Sequence, residues 1–365
     1  MDMVSPRNMD GCVPVHRETS FRMNKRVVEI VGGGVAGLSL GIALRRAGIP
    51  AAIFEALDYP CHRACGEFIS GLDDDTIESL ALTRIFRNVP RCREVAWFGR
   101  ASSPRRWNLP EPAFVISRHE LDQRLAETFR DAGGHLETGV RVPVGENRDG
   151  MVFATGRKAD RVSPWLGLKL HMTGLPAARG LEFHTGDRGY VGVCAVGKDR
   201  VNVCGLFRRR PRMVTNRATA MLDYVRACGM HELAGRLTSA TVLTESICAV
   251  GGIRFGRQLR KPQLERVEVG DAFAVTPPFT GNGMAMAIQS AGCALQPIVT
   301  WARGYEEWNT AANIIRWRRD AEFGNRLRRA RGIHPFLLGN VVTRIADIIS
   351  RFRLTPMPLL CRFVH

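Results

Sequence analysis

At 365 residues, 45% of them hydrophobic, the chain can bury one large core or two modest ones, which excludes an intrinsically disordered protein. No stretch has the about 18 uncharged apolar residues that a bilayer-spanning helix needs. Lys and Arg outnumber Asp and Glu by 52 to 35, and this net charge of +17 suits nucleic acid, an anionic membrane face or acidic ligands. Eleven arginines against Asp320, Glu322 and Asp347 fall between 311 and 365, so almost half of the excess is local. Neither an aromatic stacking platform nor a nucleic-acid module accompanies it, so no nucleic-acid partner is expected. The ten cysteines form no C-x-x-C pair, which reads as reduced thiols in a cytoplasmic protein without a structural metal site.

Residues 1–24 lack the continuous apolar run of a secretory signal and read as a flexible extension, with Met23 as a candidate start. "RVVEIV" at 26–31 predicts a short buried strand, a helix follows from about Ala36 to Ala47 and is stopped by Gly48, and "AAIFEA" predicts the next strand. In "VISRHELDQRLAETFRDAGG", Ser117 and Glu120 predict a capping box, and Leu121, Leu125 and Phe129 share one face of the helix. "LGLKLHM", "GYVGVCAV" and "RVNVCGLF" alternate at period two between 166 and 207 and predict antiparallel strands. A strand to Val269 and a small-residue helix after Gly283 return to the α/β pattern. The expected fold class is therefore α/β, a Rossmann-like domain interrupted by a mixed β-sheet domain. The cofactor domain takes 25–90, 115–162 and 265–300, and the substrate domain takes 91–114 and 163–264. A basic helical region occupies 301–365.

Two glycine-rich stretches carry the chemistry. Gly32-x-Gly34-x-x-Gly37 follows a strand and opens a helix. Gly32 permits the tight turn, Gly34 lets backbone approach a pyrophosphate, and Gly37 lets helix and strand pack closely, with Ala36 in the same turn. Glu55 ends the second strand 18 residues after Gly37, where an acid binds the ribose hydroxyls of a dinucleotide. The second stretch, "GDAFAVTPPFTGNGMAMAIQSA" from Gly270, repeats the layout of strand, turn and helix start.

Together these motifs resemble the flavoproteins with the p-hydroxybenzoate hydroxylase fold: aromatic-ring monooxygenases, flavin halogenases and geranylgeranyl reductases. The resemblance covers most of 26–300 and implies FAD, with NAD(P)H as electron donor. It implies that Asp271 takes the ribityl chain. Pro278 would border the flavin ring, and the amides around Gly281, Asn282 and Gly283 would face its pyrimidine carbonyls. Arg118, opening a helix in the middle of the cofactor domain, would reach a phosphate or the adenine side. "CHRACGEFIS" is similar to the R-x-C-G-E segment of reductase-like branches and would lay Arg63, Cys65, Gly66 and Glu67 along the flavin edge. "MVFATGRKADR" departs from the family by placing threonine where an aspartate is usual, after a short hairpin, which weakens any inference about nicotinamide handling.

The W-x-W-x-I-P signature of the halogenases is absent, which points away from that branch. Monooxygenation through a C4a-hydroperoxyflavin on an electron-rich, hydrophobic aromatic or polyketide-type substrate is favoured. Hydride transfer to an alkene is the alternative. Lys169 and His171, two apart on one strand and hence on one face, are candidates for substrate contact, with His171 as a base; Cys65 is a third candidate for chemistry. The basic C-terminal region, arginines interleaved with apolar residues, would lie on the inner face of a membrane or pack over the core.

Overall fold

The computed structural model describes residues 25–99, 104–143, 145–176, 180–211, 213, 216–258 and 266–338. The N-terminal extension with Met23, and the end of the basic region from 339, lie outside the described residues.

β1 (Val28–Val31) runs into α1 (Val35–Arg46), and β2 (Ala51–Phe54) returns parallel to β1 with Ile30 opposite Ile53. After β3 (Phe68–Ile69), α2 (Asp74–Ser79) and α3 (Thr83–Phe86), the chain leaves this layer as β4 (Arg91–Phe98) and β5 (Arg105–Val115). It returns through α4 (Arg118–Asp131), β6 (His135–Glu137) and β7 (Met151–Phe153). A second excursion contains β8 (Trp165–Thr173), β9 (Leu181–Gly186), β10 (Gly189–Ala195) and β11 (Val201–Arg208). It ends with α5 (Ala220–Ala227), α6 (His231–Thr238) and β12 (Thr241–Gly251). β13 (Gly256–Arg257), β14 (Val267–Glu268), β15 (Ala274–Val275), α7 (Gly283–Ala302) and α8 (Trp308–Leu338) complete the described chain.

These elements build two large sheets and a small antiparallel pair of β13 with β15. The first is a parallel one of five strands, ordered β14-β7-β1-β2-β6. The second has eight strands, ordered β12-β8-β11-β10-β9-β4-β5-β3, in which β4 and β9 run parallel and the other pairs antiparallel. The α/β class and the interrupted Rossmann-like layer expected from the sequence are thus the architecture of the molecule.

Local chemistry explains the main elements. Ser117 Oγ accepts the Glu120 amide at 3.3 Å and caps α4, but the Glu120 carboxylate turns to Arg124, so only half of the expected capping box forms. Leu121, Leu125 and Phe129 are fully buried, each contributing about 1.5–3 kcal/mol. In β8, Leu168, Leu170 and Met172 pack with Val191, Val193 and Val203 against α5 and α6. The alternate positions, Gly167, Lys169 and His171, face the other way. β8, β10 and β11 are covered on both faces and bury nearly every residue, whereas β5 and β12 of the same sheet keep exposed positions. Within α8, Phe323 and Leu327 pack on Phe273 and Met286, and the Arg319 guanidinium lies over the Phe273 ring at 4.4 Å. The first half of the basic region therefore packs on the core, leaving Trp317 70% exposed.

Candidate functional site

A cavity of about 1070 Å³ lies between the C-terminal edge of the parallel sheet and the face of the eight-stranded sheet turned away from α5 and α6. Its volume is at the upper end of the ~300–1,000 Å³ common for small-molecule sites. Gly32, Gly34, Ala36 and Glu55 line one part, and Asp271, Pro278, Gly281 and Gly283 another. The two distant loops meet: a Cβ on Gly270 would lie 2.9 Å from that of Ala36.

In the first loop the glycines differ in what surrounds them. Gly32 has φ +107°, a conformation glycine adopts without strain. A Cβ on Gly37 would lie 2.0 Å from the Gly32 carbonyl oxygen, so this residue packs behind the cavity and does not line it. A Cβ on Gly34 would meet nothing within 4 Å, so open space remains at the start of α1. A Cβ on Gly33, unassigned from sequence, would lie 2.0 Å from the Tyr59 hydroxyl, so a side chain there would displace Tyr59. Tyr59 donates to the Gly33 carbonyl, while the Gly33 amide donates to Glu55 Oε2 at 2.6 Å. Glu55 also accepts from the Leu57 amide at 3.1 Å and keeps its place on the cavity wall.

Arg118, expected to reach a phosphate or the adenine side, and Arg63, expected along the flavin edge, are both held by neighbouring acids. Arg118 is not free: Nε and one Nη grip Asp122 at 2.8 and 2.7 Å, one helical turn away. Arg63 bridges Asp122 and Glu55, both at 3.2 Å. Both still line the cavity, presenting guanidinium edges already oriented by carboxylates. Asp122, fully buried, was missed from sequence, although its i,i+4 spacing from Arg118 was the available signal.

A second cluster corrects the catalytic expectations. Lys169 and His171 do share one face of β8 as predicted, but they are 1% and 0% exposed and do not line the cavity. Both bind Glu67, Lys169 Nζ at 3.2 Å from Oε1 and His171 Nε2 at 2.7 Å from Oε2. Glu67 is not along an open edge either. It is fully buried with φ +57°, and its Oε1 also accepts the Arg118 amide at 3.0 Å. Asn202 donates to the carbonyls of Cys65 and Gly66 at 3.1 and 2.9 Å. The three sheet residues thus fasten the Cys65–Glu67 loop from behind. Burial opposes charge on Glu67, but the His171 hydrogen bond and the Lys169 ammonium outweigh it and hold its pKa below the usual carboxylate range. Cys65 lines the cavity, yet burial raises its pKa against the opposing pull of Arg118, so the thiol is not activated as a nucleophile.

At the far loop, α7 starts without a side-chain cap, and Gly281 adopts φ +67° to bring the chain to it. Asn282 does not line the cavity. Its Oδ1 accepts from Thr276 and Thr280 at 3.1 and 2.6 Å, and the residue braces the turn from inside. Asp271 does line it and has no hydrogen bond or ion pair to a side chain among the described residues. Burial lifts its pKa to about 6, against the opposing influence of Arg118 and Arg157. Thr155 and Gly156, at the position where the sequence departs from the family pattern, also line the cavity.

No protein-family model matches the chain, and no curated protein matches it by sequence. Solved structures do match. HpxO from Klebsiella pneumoniae, complexed with FAD and uric acid, superposes with a TM-score of 0.73 at 16% identity, covering 95% of this chain and 98% of that one. A geranylgeranyl bacteriochlorophyll reductase-like protein from Thermoplasma acidophilum gives 0.69 at 17% identity, over 89% and 91%. The myxobacterial FAD-dependent chondrochloren halogenase CndH gives 0.66 at 18%, over 83% and 81%. The chain therefore has the fold these structures share, and at such identities the likeness is one of fold.

Proposed function

We propose that this chain is an FAD-dependent oxidoreductase that hydroxylates an electron-rich, hydrophobic aromatic or polyketide-type substrate. The observation that carries the reading is that α1 and α7, both without a side-chain cap, open on one cavity. Uncapped helix starts present unpaired N–H groups and a partial positive charge, fitting the pyrophosphate at one end and the electron-rich edge of a flavin ring at the other. Gly32, Gly34 and Ala36 would hold the phosphates and Glu55 the ribose. Asp271 would hold the ribityl hydroxyls, and Pro278, Gly281 and Gly283 the ring. Bound FAD would supply the redox chemistry, with NAD(P)H as electron donor. The protein's share is to orient the substrate and exclude water. The apolar wall of Leu181, Phe183, Tyr190, Leu206, Val250 and Phe279 suits both tasks.

Alkene reduction is the second reading, favoured by the Cys65–Gly66 segment on the cavity wall. Under either reading, the exposed Trp317 among the arginines of α8 supports peripheral contact with an anionic membrane, and a cytoplasmic location accords with it. The test is direct. Purified protein should be yellow, and the reduced form should reoxidise in air with coupled hydroxylation of a phenol. Anaerobic reoxidation by an isoprenoid would instead select the reductase, and colourless protein would sink both.

A further inference from the structure

We infer that His62, not His171, is the imidazole that meets the substrate, binding it as a neutral hydrogen-bond donor whose tautomer is fixed from behind by Lys169. The inference rests on the oxidoreductase reading and names the group its substrate must carry: a hydroxyl or carbonyl oxygen on the ring.

His62 lines the cavity, whereas His171 and Lys169 do not. Its Nδ1 lies 3.3 Å from Lys169 Nζ, and the same ammonium lies 3.2 Å from Glu67 Oε1. An ammonium only donates, so Nδ1 must accept and the ring proton sits on Nε2. No described residue hydrogen-bonds Nε2. The remaining groups around the ring leave this assignment standing: His171 meets it edge-on with centroids 5.2 Å apart, and His119 lies against it at 4.5 Å. Burial first, then the charges of Lys169, His119 and His171, drive the His62 pKa down to about 4, while Glu67 opposes. At neutral pH the ring is therefore an uncharged donor, suited to an oxygen that gains negative charge as the ring is activated. On the adjacent sheet, Lys169 faces Cys204 across β11 and Cys248 across β12, and both cysteines line the cavity. His62 thus stands at the end of the cavity walled by the eight-stranded sheet. Lys169 is a positioning residue acting through it.

Two readouts test this. NMR of the histidine-labelled chain, with no ligand added, should show His62 protonated on Nε2 and bare on Nδ1 at neutral pH; the opposite tautomer overturns the inference. Calorimetry with 2-naphthol and naphthalene should show His62→Ala weakening 2-naphthol about 3–10-fold while leaving naphthalene unchanged. His62→Gln, which returns an amide N–H near the Nε2 position, should restore most of the difference. Equal losses for both probes, no loss for either, or no detectable 2-naphthol binding to the unmodified chain would each overturn it. FAD content, measured by release on denaturation, should be the same in all three proteins. A chain without FAD would defeat the oxidoreductase proposal, and both readouts would still judge His62.

Discussion

Two carboxylates stand beside the same cavity and behave oppositely. Glu67 is sealed from water and answered on every side by Lys169, His171 and the Arg118 amide, so its charge is held and its pKa falls. Asp271 faces the cavity with no hydrogen bond or ion pair to a side chain among the described residues, and its pKa rises to about 6. Each is desolvated; what differs is whether the protein itself supplies the partners. A buried acid whose partners are all present is a fastening. One left without such partners on a cavity wall is open to a ligand.

The contrast is most sharply tested at Glu67. Glu67→Ala should cost about 3–5 kcal/mol in urea unfolding, because it strands a buried ammonium. The double variant Glu67→Gln, Lys169→Met should recover much of that loss, and failure to do so would mean the pair is not what holds the loop. Asp122→Asn should cost about 1.5–3 kcal/mol, since three charge-assisted contacts to Arg118 and Arg63 weaken together. Asp271→Ala should strongly lower FAD occupancy while leaving the flavin-free fold slightly more stable at pH 7, which thermal melts of the two apo proteins would show. The smallest effect belongs to Arg106→Ala, which breaks an exposed ion pair with Glu94 worth about 0–1 kcal/mol.

Acidity separates the two carboxylates again. The Asp271 carboxyl titrates at about 6 in the fold against an ordinary 3.8, so the folded chain binds the extra proton between those values. Its contribution to stability therefore falls as pH rises from about 4 to about 6. Glu67 acts in the other sense: its contribution is complete above the ordinary carboxylate value and is lost as pH falls through its depressed folded pKa. Melting curves of the flavin-free chain and of Asp271→Asn across pH 4–7 should differ in slope over the Asp271 interval. Parallel curves would mean that Asp271 is not desolvated.

Much of the layer built on the parallel sheet was legible in the sequence because its signals are local. The glycine spacing, the strand–turn–helix order and the Ser117 cap each involve residues a few positions apart, and the backbone geometry that demands them is set over the same distance. The period-two pattern likewise placed Lys169 and His171 on one face. Strand periodicity cannot say what covers that face, and the residue that does, Glu67, lies 104 positions from His171. The helix start pointed to Arg118, but not to Asp122 as the group that orients its guanidinium. His62 was passed over because its role depends on Lys169, brought to it from 107 residues away. By itself the sequence determined the fold class and the two glycine loops. Only the tertiary structure decided which polar residues face the cavity and which neutralise one another behind it, because desolvation and charge pairing depend on neighbours that meet only when the two sheets close together.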